Sequence, residues 1–102
     1  MSNSGSDSPV VRDAREQSRF VIDVGGAQAG FAAYTRRGDE VVLTHTVVDD
    51  AWAGLGLGSV LARAAVTAIT EAGGTVVPRC PFIAAWLRKH PDVDARVRWP
   101  ED

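Results

Sequence analysis

From Ser18 onward the apolar positions alternate. Phe20, Ile22 and Val24 share one face and Val21 and Asp23 the other, the period-two pattern of a half-buried strand. Gly25-Gly26 follows, and a Gly-Gly pair between two such patterns marks a hairpin. The next stretch, "AQAGFAAYTR", alternates more weakly, with Phe31 and Ala33 opposite Ala32 and Tyr34. After the turn "RRGDE" a third strand, "EVVLTHTVV", sets Val41, Leu43, His45 and Val47 against Val42, Thr44, Thr46 and Val48. Three strands joined by short turns predict an antiparallel meander.

The period then changes. Leu57, Val60, Leu61, Ala64, Ala65, Ala68, Ile69 and Ala72 follow helical spacing and predict one buried stripe, with Arg63, Thr67, Thr70 and Glu71 largely outside it. Gly73-Gly74 ends this helix, because glycine tolerates the left-handed position past a helix end. Thr75 to Val77 reads as a short strand closed by Pro78. A helix between two strands of one sheet is normally a right-handed crossover that leaves them parallel. The short strand is therefore expected beside the third. Pro81 suits the first turn of a second helix, whose buried face would be Phe82, Ile83, Trp86 and Leu87 and whose stop is His90-Pro91. Val93, Val97 and Trp99 could pack back as an edge strand or turn. The fold class is α/β in the α+β sense: meander, crossover helix, short parallel strand, second helix.

Length and composition narrow this without changing it. At 102 residues the chain has one-domain length. Residues 1–17 are expected to be a flexible tail, since the first nine are rich in Ser, Asn, Gly, Asp and Pro, leaving 18–102 as a single domain. A net charge of −2 gives no basic surface for nucleic acid. No apolar run approaches the ~20 residues of a membrane span, and no signal-peptide pattern opens the chain. The single cysteine has no internal disulfide partner, and one Cys with two scattered His makes a poor zinc set. A cytoplasmic protein without metal is expected.

Chemistry concentrates at two places. The loop "AGLGLGS" joins the third strand to the first helix, with glycines at 54, 56 and 58. Helix-start amides lack internal partners and carry partial positive charge, and glycines let a ligand oxygen come close to them. The loop lacks the Gly-Lys-Ser/Thr of a nucleotide-phosphate loop, and its glycine spacing and setting do not fit a dinucleotide fingerprint. It is either an anion cradle made of backbone or a tight turn that lets the helix pack closely. Cys80 stands before Pro81 at the start of the second helix, with Arg79 beside it. That position favours a thiolate, so Cys80 is a candidate nucleophile, or else a small buried hydrophobe. His45 lies among Val and Leu on the adjacent strand, either as a core histidine or as a base near Cys80. His90 reads as a helix terminator.

"THTVVDDAWAGLGLGSVLA" followed by "VVPRCPFIAAWLRKHPDV" resembles the small, compact branch of the Gcn5-related N-acetyltransferases, over about residues 18 to 95. The resemblance implies an acetyl-CoA-dependent N-acetyltransferase. Its coenzyme pyrophosphate would sit on the amides of Gly54, Leu55, Gly56, Leu57, Gly58 and Ser59. The pantetheine arm would run near Thr46, Val47 and Val48, with Phe82 and Trp86 lining the channel. Cys80 would be catalytic and His45 its partner. The acceptor would be a small-molecule amine or a protein or peptide amine, and the chain a monomer or weak homodimer. Two positions depart from the pattern. Ala53 stands where an Arg or Gln usually opens the loop, and Val47 where a Glu is common; Asp49 and Asp50 lie nearby. The rival class is a coenzyme A or acyl-CoA-binding module without turnover. A scaffold that binds no coenzyme is the third possibility.

Overall fold

A computed structural model describes residues 8–100. Five strands form one sheet in sequence order: β1 (Val10–Ala14), β2 (Arg19–Val24), β3 (Ala27–Arg37), β4 (Glu40–Val48) and β5 (Thr75–Pro78). The first four are antiparallel, and β5 lies parallel to β4, as the crossover demands. The crossover is helix α1 (Leu57–Glu71), and α2 (Pro81–Lys89) follows β5. The β2–β3 hairpin turns on Gly25 and Gly26, both at positive φ (58° and 84°), a two-residue turn that glycines enter without a Cβ penalty.

Both helices pack on one face of the sheet. The core between them holds Phe20, Ile22, Ala32, Tyr34, Val41, Leu43 and Val76 from the strands, with Leu57, Leu61, Val66, Ile83 and Trp86 from the helices. Among the described residues no helix covers the opposite face, where Val42 and Val77 are nevertheless buried.

The expected stripe on α1 is rotated. Leu57, Leu61, Ala65 and Ile69 are buried as the spacing requires, but so are Ala62 and Val66, while Val60 and Ala68 are exposed. An alanine-rich helix has small apolar residues on several sides, so its periodicity fixes the axis of burial only loosely.

Residues 10–17 do not form the expected tail. Residues 1–7 lie outside the described residues. Val10–Ala14, however, is an edge strand paired with Arg19–Asp23. Ala14 is buried, Val11 packs against the core, and Val10 stays 59% exposed. With one fully buried side chain in five, the segment has almost no alternation to read, and pairing with β2 is what makes it a strand.

At the other end, Val97 forms a parallel bridge to Val76, and the Arg98 N–H donates to the Val76 carbonyl. The segment also docks through Val93, Ala95 and Val97 against the core. The Arg98 guanidinium holds the Glu40 carboxylate by two hydrogen bonds of 2.6 and 2.8 Å. Among the described residues no helix is long and apolar enough to cross a membrane, and no cluster of three or more His, Cys, Asp or Glu could hold a metal.

Candidate active site

Strand β5 follows β4 for four residue pairs only, Glu40 with Thr75 through Leu43 with Pro78. The Cys80 N–H then donates to the Leu43 carbonyl at 2.8 Å, and the chain turns into α2. From Thr44 to Val48, β4 keeps β3 on one side and, among the described residues, has no strand on the other. The sheet thus opens into a gap bounded by the end of β4 and the start of α2. The loop after β4 brings the start of α1 to the same end of the sheet.

The two flanks of that gap come from a bulge that sequence alternation does not anticipate. Ala33 pairs with His45 and Tyr34 with Leu43, so Thr44 is an extra residue on β4. Side chains before and after an added residue change faces. Val41 and Leu43 face the helices, but after the bulge Thr46 and Val48 do, not His45 and Val47. Thr46 accordingly meets Cys80, whose Sγ–H donates to Thr46 Oγ1 at 3.3 Å. His45 is exposed on the helix-free face, its ring 6.2 Å from that of Phe31. The expected Cys80–His45 pair is therefore not formed, and the sheet lies between the two side chains. Val47 is 36% exposed on the His45 side, so a Glu at this position would also face away from Cys80.

Cys80 is 4% exposed and caps α2 with its backbone, its carbonyl accepting the first helical bond from Ala84 N–H. Pro81 occupies the first turn as expected. The thiol makes no cap of its own; it is spent on Thr46.

The glycine loop is open. Asp49 caps a single 3₁₀ turn, Asp50–Trp52, by accepting from the Ala51 N–H at 3.0 Å. Asp49 is thus a structural turn residue. Gly54 and Gly56 follow at φ 84° and 72°, with free space where a Cβ would stand. Gly56 is the residue that caps α1, and no side chain satisfies the helix start. Leu55 at the tip is 62% exposed and Leu57 is buried beneath. Gly58 serves packing: a Cβ there would fall 2.8 Å from Phe82 Cζ.

Phe82 and Trp86 divide. Phe82 is 43% exposed, not buried as its spacing suggests, with its ring against Gly58 at the edge of the loop. Trp86 is 4% exposed and acts as a tie between helices, its indole N–H donating to Ser59 Oγ at 2.8 Å. The His90 ring stacks on the indole at 4.2 Å, and its Nδ1 lies 2.8 Å from the Trp86 carbonyl. A carbonyl only accepts, so that nitrogen carries the proton. Trp86 thus ties α2 to Ser59 at the start of α1.

In this α/β domain the sheet parts beside a helix start that no side chain caps. A sequence model of the GCN5-related N-acetyl-transferases matches residues 19–97, and the chain belongs to that family of acyltransferase enzymes. No curated protein matches the chain. Among solved structures it is similar to the solution structure of a GCN5-like protein from Staphylococcus aureus, at 22% identity and a TM-score of 0.67 over 90% of each chain, which shows the shared fold.

Proposed function

We propose that the protein transfers the acetyl group of acetyl-CoA to an amine by direct attack, with the coenzyme on the helix side of the gap and the acceptor arriving from the helix-free side. The observation that carries this is the division of the gap by the bulge at Thr44. Cys80 and Thr46 face one side of the sheet and His45 the other.

The residues present suit the coenzyme, the family's usual co-substrate. Gly54 and Gly56 leave open space over the backbone at the start of α1, where first-turn amides are free to bind a pyrophosphate. Leu55 and Phe82 offer exposed apolar surface beside it. The unpaired edge of β4 over Thr46 to Val48 can hydrogen-bond the amides of a pantetheine arm, as a strand partner would.

The acceptor must lose a proton to become a nucleophile, and the departing thiolate must gain one. His45, exposed on the helix-free face, is placed to take the first. The Cys80 thiol, already a donor to Thr46, would supply the second and regain its proton from water entering the gap after coenzyme A leaves. Acetylation of Cys80 itself is the less supported route. That step needs a thiolate, and the histidine that would draw the proton off stands across the sheet. A second reading, a coenzyme-binding module without turnover, is supported by Val47, which stands where a Glu is common. The cytoplasm suits a chain with one unpaired thiol.

Thermal unfolding with and without acetyl-CoA tests the cradle. Ligand at 100 times its dissociation constant adds about 2.7 kcal/mol. A rise in Tm with acetyl-CoA but not with ATP or NAD is the expected result, and no rise at millimolar acetyl-CoA would overturn the reading. Turnover against a panel of amines then separates the enzyme from the binding module.

A further inference from the structure

The helix-free face carries a pocket of about 460 Å³ that the coenzyme reading leaves unused. Buried Val42 and Val77 form its floor, and Arg37, Arg79 and Arg98 stand around it on three different strands or segments. Thr44, the bulged residue, lines the side nearest the gap, and Arg79 directly precedes Cys80. The pocket therefore adjoins the point where β4 and β5 part, on the side His45 faces.

Among the described residues the charged side chains that line it are all arginines. Glu40 binds Arg98 bidentately, and it also stands opposite Arg37 across the β3–β4 hairpin, close enough to feel that charge without a salt bridge. Among the described residues neither Arg37 nor Arg79 has a carboxylate within salt-bridge distance, and both are exposed. Among the described residues three guanidiniums thus share one carboxylate beside an apolar floor, an excess of positive charge. Arginine forks match carboxylates bidentately, and an apolar floor strengthens such bonds by excluding water.

We infer that this pocket seats the acceptor, and that the acceptor is an amine flanked by two carboxylates, as in an acidic amino acid or the amino end of an acidic peptide. The arginines hold the carboxylates while the amine reaches past Thr44 toward the gap. The assignment to an acceptor rests on the acetyl-transfer reading; the anion pocket rests on its own geometry.

The test is an NMR titration of the full chain without coenzyme. The probes are L-glutamate, the dipeptide Asp-Glu and, as control, L-lysine. Saturable shifts of the Val42, Thr44 and Val77 amides with the acidic probes, but not with lysine, are expected. The tighter of the two acidic probes identifies free amino acid or peptide as the source. High salt should weaken the response. The double variant Arg37→Gln/Arg79→Gln, both positions being exposed, should fold normally and lose affinity by about tenfold or more. Absence of saturable shifts into the tens of millimolar, or equal shifts with lysine, overturns the inference. So does an unchanged response in the folded double variant. Protection by acetyl-CoA alongside any of these failures leaves the acetyl-transfer reading intact. Acidic ligands binding without acetyl-CoA protection would keep the anion pocket and remove its role as an acceptor site.

Discussion

Gly56 and Gly30 show two different reasons for a glycine, and they separate function from stability. Gly56 sits at φ 72° with empty space around it. Gly56→Val forces a β-branched side chain into the left-handed region and over the proposed cradle. The expected outcome is a folded domain whose Tm no longer rises with acetyl-CoA; undiminished protection would refute the cradle. Gly30 is buried where β3 and β4 approach closely, and a Cβ there would strike the Val47 carbonyl oxygen. Gly30→Ala should therefore cost about 1–3 kcal/mol through overpacking, read as a lower urea midpoint. Cys80→Ala removes the donor to Thr46 but no backbone bond. It should slow acetyl transfer while leaving coenzyme protection in place, and mass spectrometry of the wild-type protein should find no acetyl group on Cys80 during turnover. A stable Cys80 adduct that passes its acetyl group to amine would restore the covalent route.

At the scale of elements, the ends of the chain are tied to the sheet by ionic contacts, and these have a pH dependence. Arg98 holds the Glu40 carboxyl below its ordinary range, chiefly by direct hydrogen bonding. A depressed carboxyl pKa stabilises the folded state above the unfolded value, near 4.5, and that contribution is lost as pH falls through the lower folded value. The segment that bridges Val97 to Val76 should loosen first in acid, seen as faster amide exchange at Val76 and Arg98 below about pH 4.5, while α1 stays protected. Tyr34 works in the other direction. Burial, followed by its 2.6 Å hydrogen bond to Asp13, raises its pKa above 10.0. The neutral phenol is the folded form, so its contribution is present below that value and is lost as pH climbs through the raised one. This bond also fastens β1 to β3 across β2. Tyr34→Phe should cost about 1.5 kcal/mol, the scale of a hydrogen bond to a charged acceptor.

The whole molecule places two approaches on opposite faces of one sheet. The helix side offers the glycine loop and the thiol; the bare side offers His45 and the arginine pocket. Such a layout suits two substrates bound together, meeting only where the sheet opens. Amide shifts on adding acetyl-CoA should center on residues 46–48 and 54–59 and spare Thr35 to Arg37. Shifts of equal size on both faces would contradict the division.

Much of this was legible in the sequence because its elements are local. The β2 to β4 pattern, the Gly-Gly turn, the stops at Gly73 and His90 and the parallel return of β5 each follow from residues near one another in the chain. The glycine loop and Cys80 could be picked out the same way, since a helix start and a Pro at its first turn are sequence features. The positions that escaped depend on what lies across the sheet. Strand β1 exists through its pairing, not its own pattern. Phe82 follows the buried spacing of α2, yet lies at the rim with its ring against Gly58 on α1. The arginines at 37, 79 and 98 share no local motif, and only strand order gathers them. His45 is the sharpest case. Its place in an alternating strand puts it with Leu43, and one extra residue at Thr44 turns it to the other face and gives Cys80 to Thr46. The sequence by itself determined the elements from β2 to α2, their order and the chemistry available, because propensity and periodicity act over a few residues. The tertiary structure alone decided which side chains meet, because strand register is set by packing against partners distant in the chain, and a single bulge reverses it.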